Sequence, residues 1–366
     1  MQKKCKLLIL LFIAIFLFPT FIYFGIIWYV DPLKLFHQPF MCKNTSYDNV
    51  NFITKSFIDG LDFDSVILGT SLFSNTSAKQ ASEFLGGRFF NASIWGILMS
   101  EKMVVLKYIL NKKNIKKIII SLDQGSQPLS TSNTIALNKE VISTYSFFPI
   151  FSIYLQDKHL DHIFSFKCGN AQINQDTPTS WAYNKEMMAR FGGLKNWARQ
   201  YTLQNISIIS SLKNSLAKIE NKEYEFSFNK EYLDKNLLYY FKKYPDIEFI
   251  LIVPPYFMAQ NAIYFQTNVE FQKAQKESLL YLIEQKPKNV KIFAFDNMDF
   301  ASDVRNYYDL VHFSPQISSD ILRFIKNNEG LLDKENFEKY WNEFSALALG
   351  FDLKAFYNEF LALIEQ

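Results

Sequence analysis

What the chain has little of narrows the field first. Only three cysteines occur in 366 residues, with no Cys-x-x-Cys pair and no Cys/His cluster, which argues against a structural zinc site. The charges nearly balance, at a formal +3, and no stripe of Lys and Arg stands out, so nucleic acid is not an expected partner. There is no internal repeat and no low-complexity tract. Only one hydrophobic run is long enough to cross a bilayer. No metal or cofactor is expected.

What is abundant is aromatic. Phe alone contributes 37 residues, which fits a large core and equally a membrane-adjacent or sugar-contacting surface. The amino terminus is more specific. After the basic opening MQKKCK, an uncharged apolar stretch runs from Leu7 to Val30. A spanning helix needs about 20 residues, and Pro19 is tolerable inside one. Basic residues before the span and none just after it place the N-terminus in the cytoplasm. The run is longer than a signal-peptide core and no small-x-small cleavage site follows, so an uncleaved single-pass anchor is expected. The remainder would then be extracytoplasmic, periplasmic in a Gram-negative cell. Cys42 and Cys168 would lie where a disulfide persists, although sequence leaves open whether they pair or are unrelated thiols.

Residues 1–30 thus read as the anchor and 31–60 as a linker or lead-in. From 61 to 330 the chain alternates short β-rich runs (SVILG, RFFNAS, IKKIIISLD, IEFILIVPP, VKIFAFD) with helical periodicity. That rhythm predicts an α/β fold, a doubly wound and mostly parallel sheet with helices on both faces. It breaks between about 126 and 230, read as a mainly helical insertion. Residues 331–366 read as one or two amphipathic helices packed on the domain.

In such a sheet, ligands bind beyond the carboxyl ends of the strands. Gly69-Thr70-Ser71, Asn91–Gly96 (NASIWG), Leu122–Gln127 (LDQGSQ) and Tyr307–Pro315 (YYDLVHFSP) all fall at such ends. Asp309 and His312 are three apart, a spacing that a helical turn brings to one face. A carboxylate can hold an imidazole in one tautomer, and the imidazole can take a proton from a serine. Ser71, on a strand-to-helix turn, would be that serine, with backbone N–H groups near it for an oxyanion.

With these residues assembled, the chain resembles the SGNH/GDSL-type hydrolases, whose serine comes early and whose Asp-x-x-His comes late. NASIWG is similar to the second block of the thioesterase/lysophospholipase branch, and FILIVPPY is similar to the strand before that family's fourth loop. The resemblance covers roughly residues 60–330. It implies Ser71 as nucleophile, His312 as base, Asp309 as its orienter, and the backbone N–H groups of Ser71 and Gly96 as oxyanion donors. There are two departures. Gly-Asp-Ser is Gly-Thr-Ser here, as in membrane-anchored, envelope-modifying branches. The third block, Gly-x-Asn-Asp in the family, is SLDQGSQ, leaving Gln124 as the substitute donor, since ionised Asp123 cannot donate. Loss of one such donor costs on the order of 3–4 kcal/mol of transition-state stabilisation.

The resemblance implies an esterase or O-acyltransferase working on acyl esters of an envelope glycan. It resembles alginate O-acetylation and teichoic acid D-alanyl transfer proteins, and a membrane-bound O-acyltransferase would be its partner. Two other readings stay open: a lysophospholipase or thioesterase, and a catalytically degenerate glycan-binding or scaffolding protein. His159, Asp161 and His162 read as solvated loop residues more readily than as a metal site. Trp181 and Trp197 read as core residues of the insertion, with sugar stacking as the alternative. His37 has no partner that sequence can name.

Overall fold

A computed structural model describes residues 2–31, 33, 35–37, 49–123, 139–146, 153–154, 173–199, 203–218 and 228–365. Cys42, Cys168, His159, Asp161 and His162 lie outside the described residues. The chain divides into two compact units. One comprises Met1–Leu61 and Leu137–Asn174, the other Asp62–Ala136 and Gln175–Gln366. The segment expected to be a single insertion is therefore shared between them.

In the first unit, the helix Gln2–Val30 contains the stretch Leu11–Val30, with a mean hydropathy of 2.3, long and apolar enough to cross a membrane. Where it ends, the buried Asp31 carboxylate accepts backbone N–H bonds from Leu35, Phe36 and His37, and Tyr154 donates its hydroxyl to the same carboxylate. His37 gains a partner here: its Nε2 lies 2.6 Å from the carbonyl of Trp28. The expected lead-in is not a plain linker. It carries the helix Val50–Gly60, capped by the Asn49 side chain, whose Lys55 pairs with Asp59 at 2.6 Å and also bonds the Leu35 carbonyl.

The second unit is built on one six-stranded sheet. Its strands are β1 (Ser65–Leu68), β2 (Phe89–Asn91), β3 (Lys117–Ser121), β4 (Glu248–Val253), β5 (Val290–Ala294) and β6 (Leu331–Leu332). The spatial order is β2-β1-β3-β4-β5-β6, all parallel except β6, which runs antiparallel to β5. The strands read as continuous apolar runs because both faces are covered. Ile67, Ile119, Ile250, Ile252 and Phe293 join a core with the helices Ala78–Leu85, Met258–Thr267 and Pro315–Asn327. On the opposite face Phe249 meets Phe241 of the helix Tyr239–Lys243, with ring centroids 4.8 Å apart.

Local signals set the helix ends. Ser77 caps Ala78–Leu85, and Gly86, at φ 72°, ends it as the Gly86-Gly87 pair predicts. Ser314 followed by Pro315 starts Pro315–Asn327. The tail, where one or two helices are expected, holds two, Phe337–Gly350 and Leu353–Ile364, and begins with β6, which no periodicity of so short a strand announces. Met258–Thr267, which starts three residues after Pro255, is a further helix that the strand–helix rhythm does not announce.

The order around β1 and β3 matters most. Strand order reverses there, β1 being followed by β2 on one side and β3 on the other. The crevice at such a reversal, beyond the carboxyl ends, is where open α/β sheets hold ligands.

Candidate active site

β1 leaves the sheet at Leu68 and turns at once through Gly69, Thr70 and Ser71. Gly69 is required by close approach: a Cβ there would lie 2.4 Å from Phe73 Cβ and 2.8 Å from Ser93 Oγ. The turn is closed by the Phe73 N–H bond to Thr70 O (3.1 Å). It is tied to the end of β2 by the fully buried Asn91, whose amide donates to Phe73 O (2.8 Å) and Thr76 O (2.7 Å) and accepts from the Ser93 N–H. The NASIWG segment thus scaffolds the turn that carries Ser71 before it delivers Gly96.

The second loop follows β5. Asp309 and His312 do not lie on a helical turn, as their spacing suggests. They sit in a tight loop pinched by a bridge between Tyr307 and Phe313 and a Tyr308 N–H bond to His312 O. Tyr307 Oη donates to Pro255 O and the Phe257 N–H to Leu310 O, anchoring the loop to the end of β4. The outcome is the same convergence by another backbone path.

The three side chains form an unbroken line. His312 Nε2 lies 2.9 Å from Ser71 Oγ, and His312 Nδ1 lies 2.8 and 3.0 Å from the two Asp309 carboxylate oxygens. Asp309 Oδ1 also accepts the backbone N–H groups of Val311 and His312. Burial pushes the Asp309 carboxyl up. The His312 charge and these hydrogen bonds outweigh it and hold the carboxyl below its ordinary value, so it stays ionised. The imidazole is packed between rings, stacked on Tyr308 at 4.9 Å and edge-on to Trp181 at 5.7 Å.

Ser71, Gly96, Thr70, Asp123, Gln260 and His312 line a cleft of about 270 Å³. Among the described residues the backbone N–H groups of Ser71 and Gly96 engage no acceptor. Gly96 stands at φ 68°, a backbone conformation that disfavours any side chain. Gln124 lies outside the described residues. Asp123 is bonded from three sides. Thr70 Oγ1 donates to it at 3.0 Å, Ser121 Oγ at 2.7 Å and the buried Lys102 ammonium at 2.5 Å. Burial draws Lys102 below its ordinary value, with Asp123 opposing.

The sequence missed a set of buttresses from 177–205. Trp181, read as a core residue, donates its indole N–H to Ser71 O at 2.7 Å, and Trp197 donates to Tyr307 O at 2.8 Å. Both are buried, which removes them as sugar platforms. Buried Arg190 donates to Tyr308 O (2.9 Å), Trp197 O and Asn205 Oδ1. Thr179 and Ser180 hold Ser93 O and the Asn75 side chain. Only the clustering of Trp with Arg between 181 and 197 hinted at a packed, polar-anchored segment. Among the described residues no group of three or more His, Cys, Asp or Glu side chains could hold a metal ion.

A buried carboxylate, an imidazole and a hydroxyl in this order can abstract the hydroxyl proton and direct the alkoxide at an electrophile in the cleft. Comparison with protein-family models gives no match for the chain, and comparison with curated proteins gives none either.

Proposed function

We propose that the chain is a membrane-anchored SGNH-type serine esterase or O-acyltransferase, acting outside the cytoplasm on short acyl esters of a cell-envelope glycan. The observation that carries the proposal is the hydrogen-bonded line from Ser71 through His312 to Asp309. The nucleophile's place after β1, beside the reversal of strand order, supports an SGNH-like fold.

In this mechanism Ser71 Oγ attacks the acyl carbonyl carbon as its proton passes to His312 Nε2. Asp309 stabilises the imidazolium. The oxyanion is received by the N–H groups of Ser71 and Gly96. Collapse expels the alcohol, which takes the proton from His312, and leaves the acyl group on Ser71. Water then releases a carboxylic acid, or a sugar hydroxyl accepts the acyl group; in both cases His312 removes the incoming proton.

The cleft, about 270 Å³, is at or below the lower end of ligand pockets (about 300–1,000 Å³), which favours a short acyl group over the fatty chain of the lysophospholipase alternative. The apolar span supports a substrate made at the membrane surface, with a membrane-bound O-acyltransferase as the proposed source of acyl groups. The test is hydrolysis of p-nitrophenyl acetate and p-nitrophenyl palmitate by the full chain in detergent. Cleavage of the acetate that is abolished by Ser71→Ala is expected. Preference for palmitate would favour the lipid reading, and cleavage unaffected by Ser71→Ala would remove the catalytic one.

A further inference from the structure

The proposed mechanism places a negative charge, the oxyanion, in a cleft one wall of which is Asp123. A bare carboxylate there would repel it. Behind Asp123, however, stands Lys102, 1 % exposed and on the first turns of the helix Met99–Lys112. Its ammonium donates to Asp123 Oδ2 (2.5 Å), Ser121 Oγ (2.9 Å) and Ser121 O (2.8 Å). Ser121 Oγ is in turn 2.7 Å from Asp123 Oδ2, and Thr70, the residue before the nucleophile, donates to Asp123 Oδ1. Asp123 stands just past the end of β3, where the sequence departs from the family pattern, and Lys102 reaches it from the helix Met99–Lys112.

We propose that Lys102 is a built-in counter-charge for the oxyanion site: it offsets the charge of Asp123, so that the developing oxyanion meets a less negative wall. The inference rests on the esterase reading. A buried ammonium is expensive to desolvate, and apolar residues of similar volume often serve stability as well. Here it is placed where an uncompensated carboxylate would oppose the reaction. Lys102 touches no reacting atom and acts through Asp123, so it is a positioning residue. Asp123, fixed by three donors, also holds the Thr70 hydroxyl and with it the turn before Ser71.

The test uses phenylboronic acid with the full chain in detergent, read as competitive inhibition of p-nitrophenyl acetate hydrolysis. Ser71 Oγ bonds to boron, its proton passes to His312, and the adduct is a tetrahedral anion resembling the oxyanion state. Lys102→Met removes the ammonium paired with Asp123. Boronate affinity should fall about 10- to 100-fold while KM for the neutral ester changes less than about threefold. Asp123→Asn leaves the Lys102 charge behind a neutral wall, and boronate affinity should rise. The double variant should return to within about tenfold of wild type. A merely structural pair predicts similar losses in both single variants, and that result overturns the proposal. So does unchanged boronate affinity in folded Lys102→Met protein. If Lys102→Met fails to fold, Asp123→Asn and the double variant carry the test. The first should bind boronate more tightly, and equal affinity overturns the proposal. Wild-type protein that binds no boronate and cleaves no ester overturns the esterase reading itself, a result separable from all of these.

Discussion

At the scale of single residues, a hydroxyl, an imidazole and a buried carboxylate stand in one hydrogen-bonded line, Ser71, His312 and Asp309. Ser71, Asp309 and His312 stand in short local patterns, and each falls where a strand or a loop closes beyond the sheet. Their mutual reach, across 241 positions for Ser71 and His312, is a property of the fold alone. Lys102 was illegible for the opposite reason. In SEKMVVLKYILNKK it reads as one lysine among several on a solvated face, and only Asp123 and Ser121 make its burial tolerable. Two predictions belong here. Asp309→Asn should preserve the loop yet lower kcat for p-nitrophenyl acetate by on the order of 10³–10⁴, because the imidazole loses its tautomer and its counter-charge. Asp296 is the second case. Burial pushes its carboxyl up to about 7, opposed by the Tyr340 hydroxyl bond and backbone N–H groups. A carboxyl raised on folding favours the folded state most below its unfolded value, and the penalty is complete once pH exceeds about 7. Asp296→Asn should therefore raise the Tm at pH 8 and lose that advantage toward pH 4, as thermal melts across this range would read.

At the scale of elements, five strands announced themselves through continuous apolar runs and several helices through periodicity and caps, whereas their supports did not. The segment 177–205 gives no periodic signal because its work is done by side-chain donors to backbone carbonyls, at Ser71, Tyr307 and Tyr308. Trp181→Phe keeps the ring packing against His312 but removes the N–H to Ser71 O. The expected loss is about tenfold in kcat and about 1–3 kcal/mol in stability, measured by kinetics and denaturation. Gly69→Ala would drive a Cβ into Phe73 and Ser93 across the β1 and β2 ends. It should cost on the order of 1–3 kcal/mol and disorder the Ser71 turn, seen as a lower Tm together with lost ester cleavage. The helical-turn expectation for Asp309 and His312 failed because spacing fixes only separation. The Tyr307–Phe313 bridge, invisible in sequence, fixes the path.

At the scale of the whole molecule, the alternation of strands and helices was enough for an α/β reading with a parallel sheet. It was not enough for the division of the chain. The residues between 137 and 174 group with the amino-terminal segment, while those from 175 onward group with the sheet. Discontinuous units leave no mark in local composition, since each stretch is ordinary by itself. The apolar span makes its own prediction. The full chain should fractionate with membranes and resist carbonate extraction, and a chain lacking residues 2–30 should not. External protease added to spheroplasts should digest the sheet-bearing unit of the full chain. Protection from that digestion would reverse the expected orientation.

The central claim is that Ser71 is a nucleophile activated by His312. Its most direct test is the intact mass of the full chain after exposure to a fluorophosphonate. A single adduct is predicted in wild-type protein, absent in Ser71→Ala and formed far more slowly in His312→Ala. Folded wild-type protein that remains unmodified, or Ser71→Ala protein that is modified equally, would contradict it.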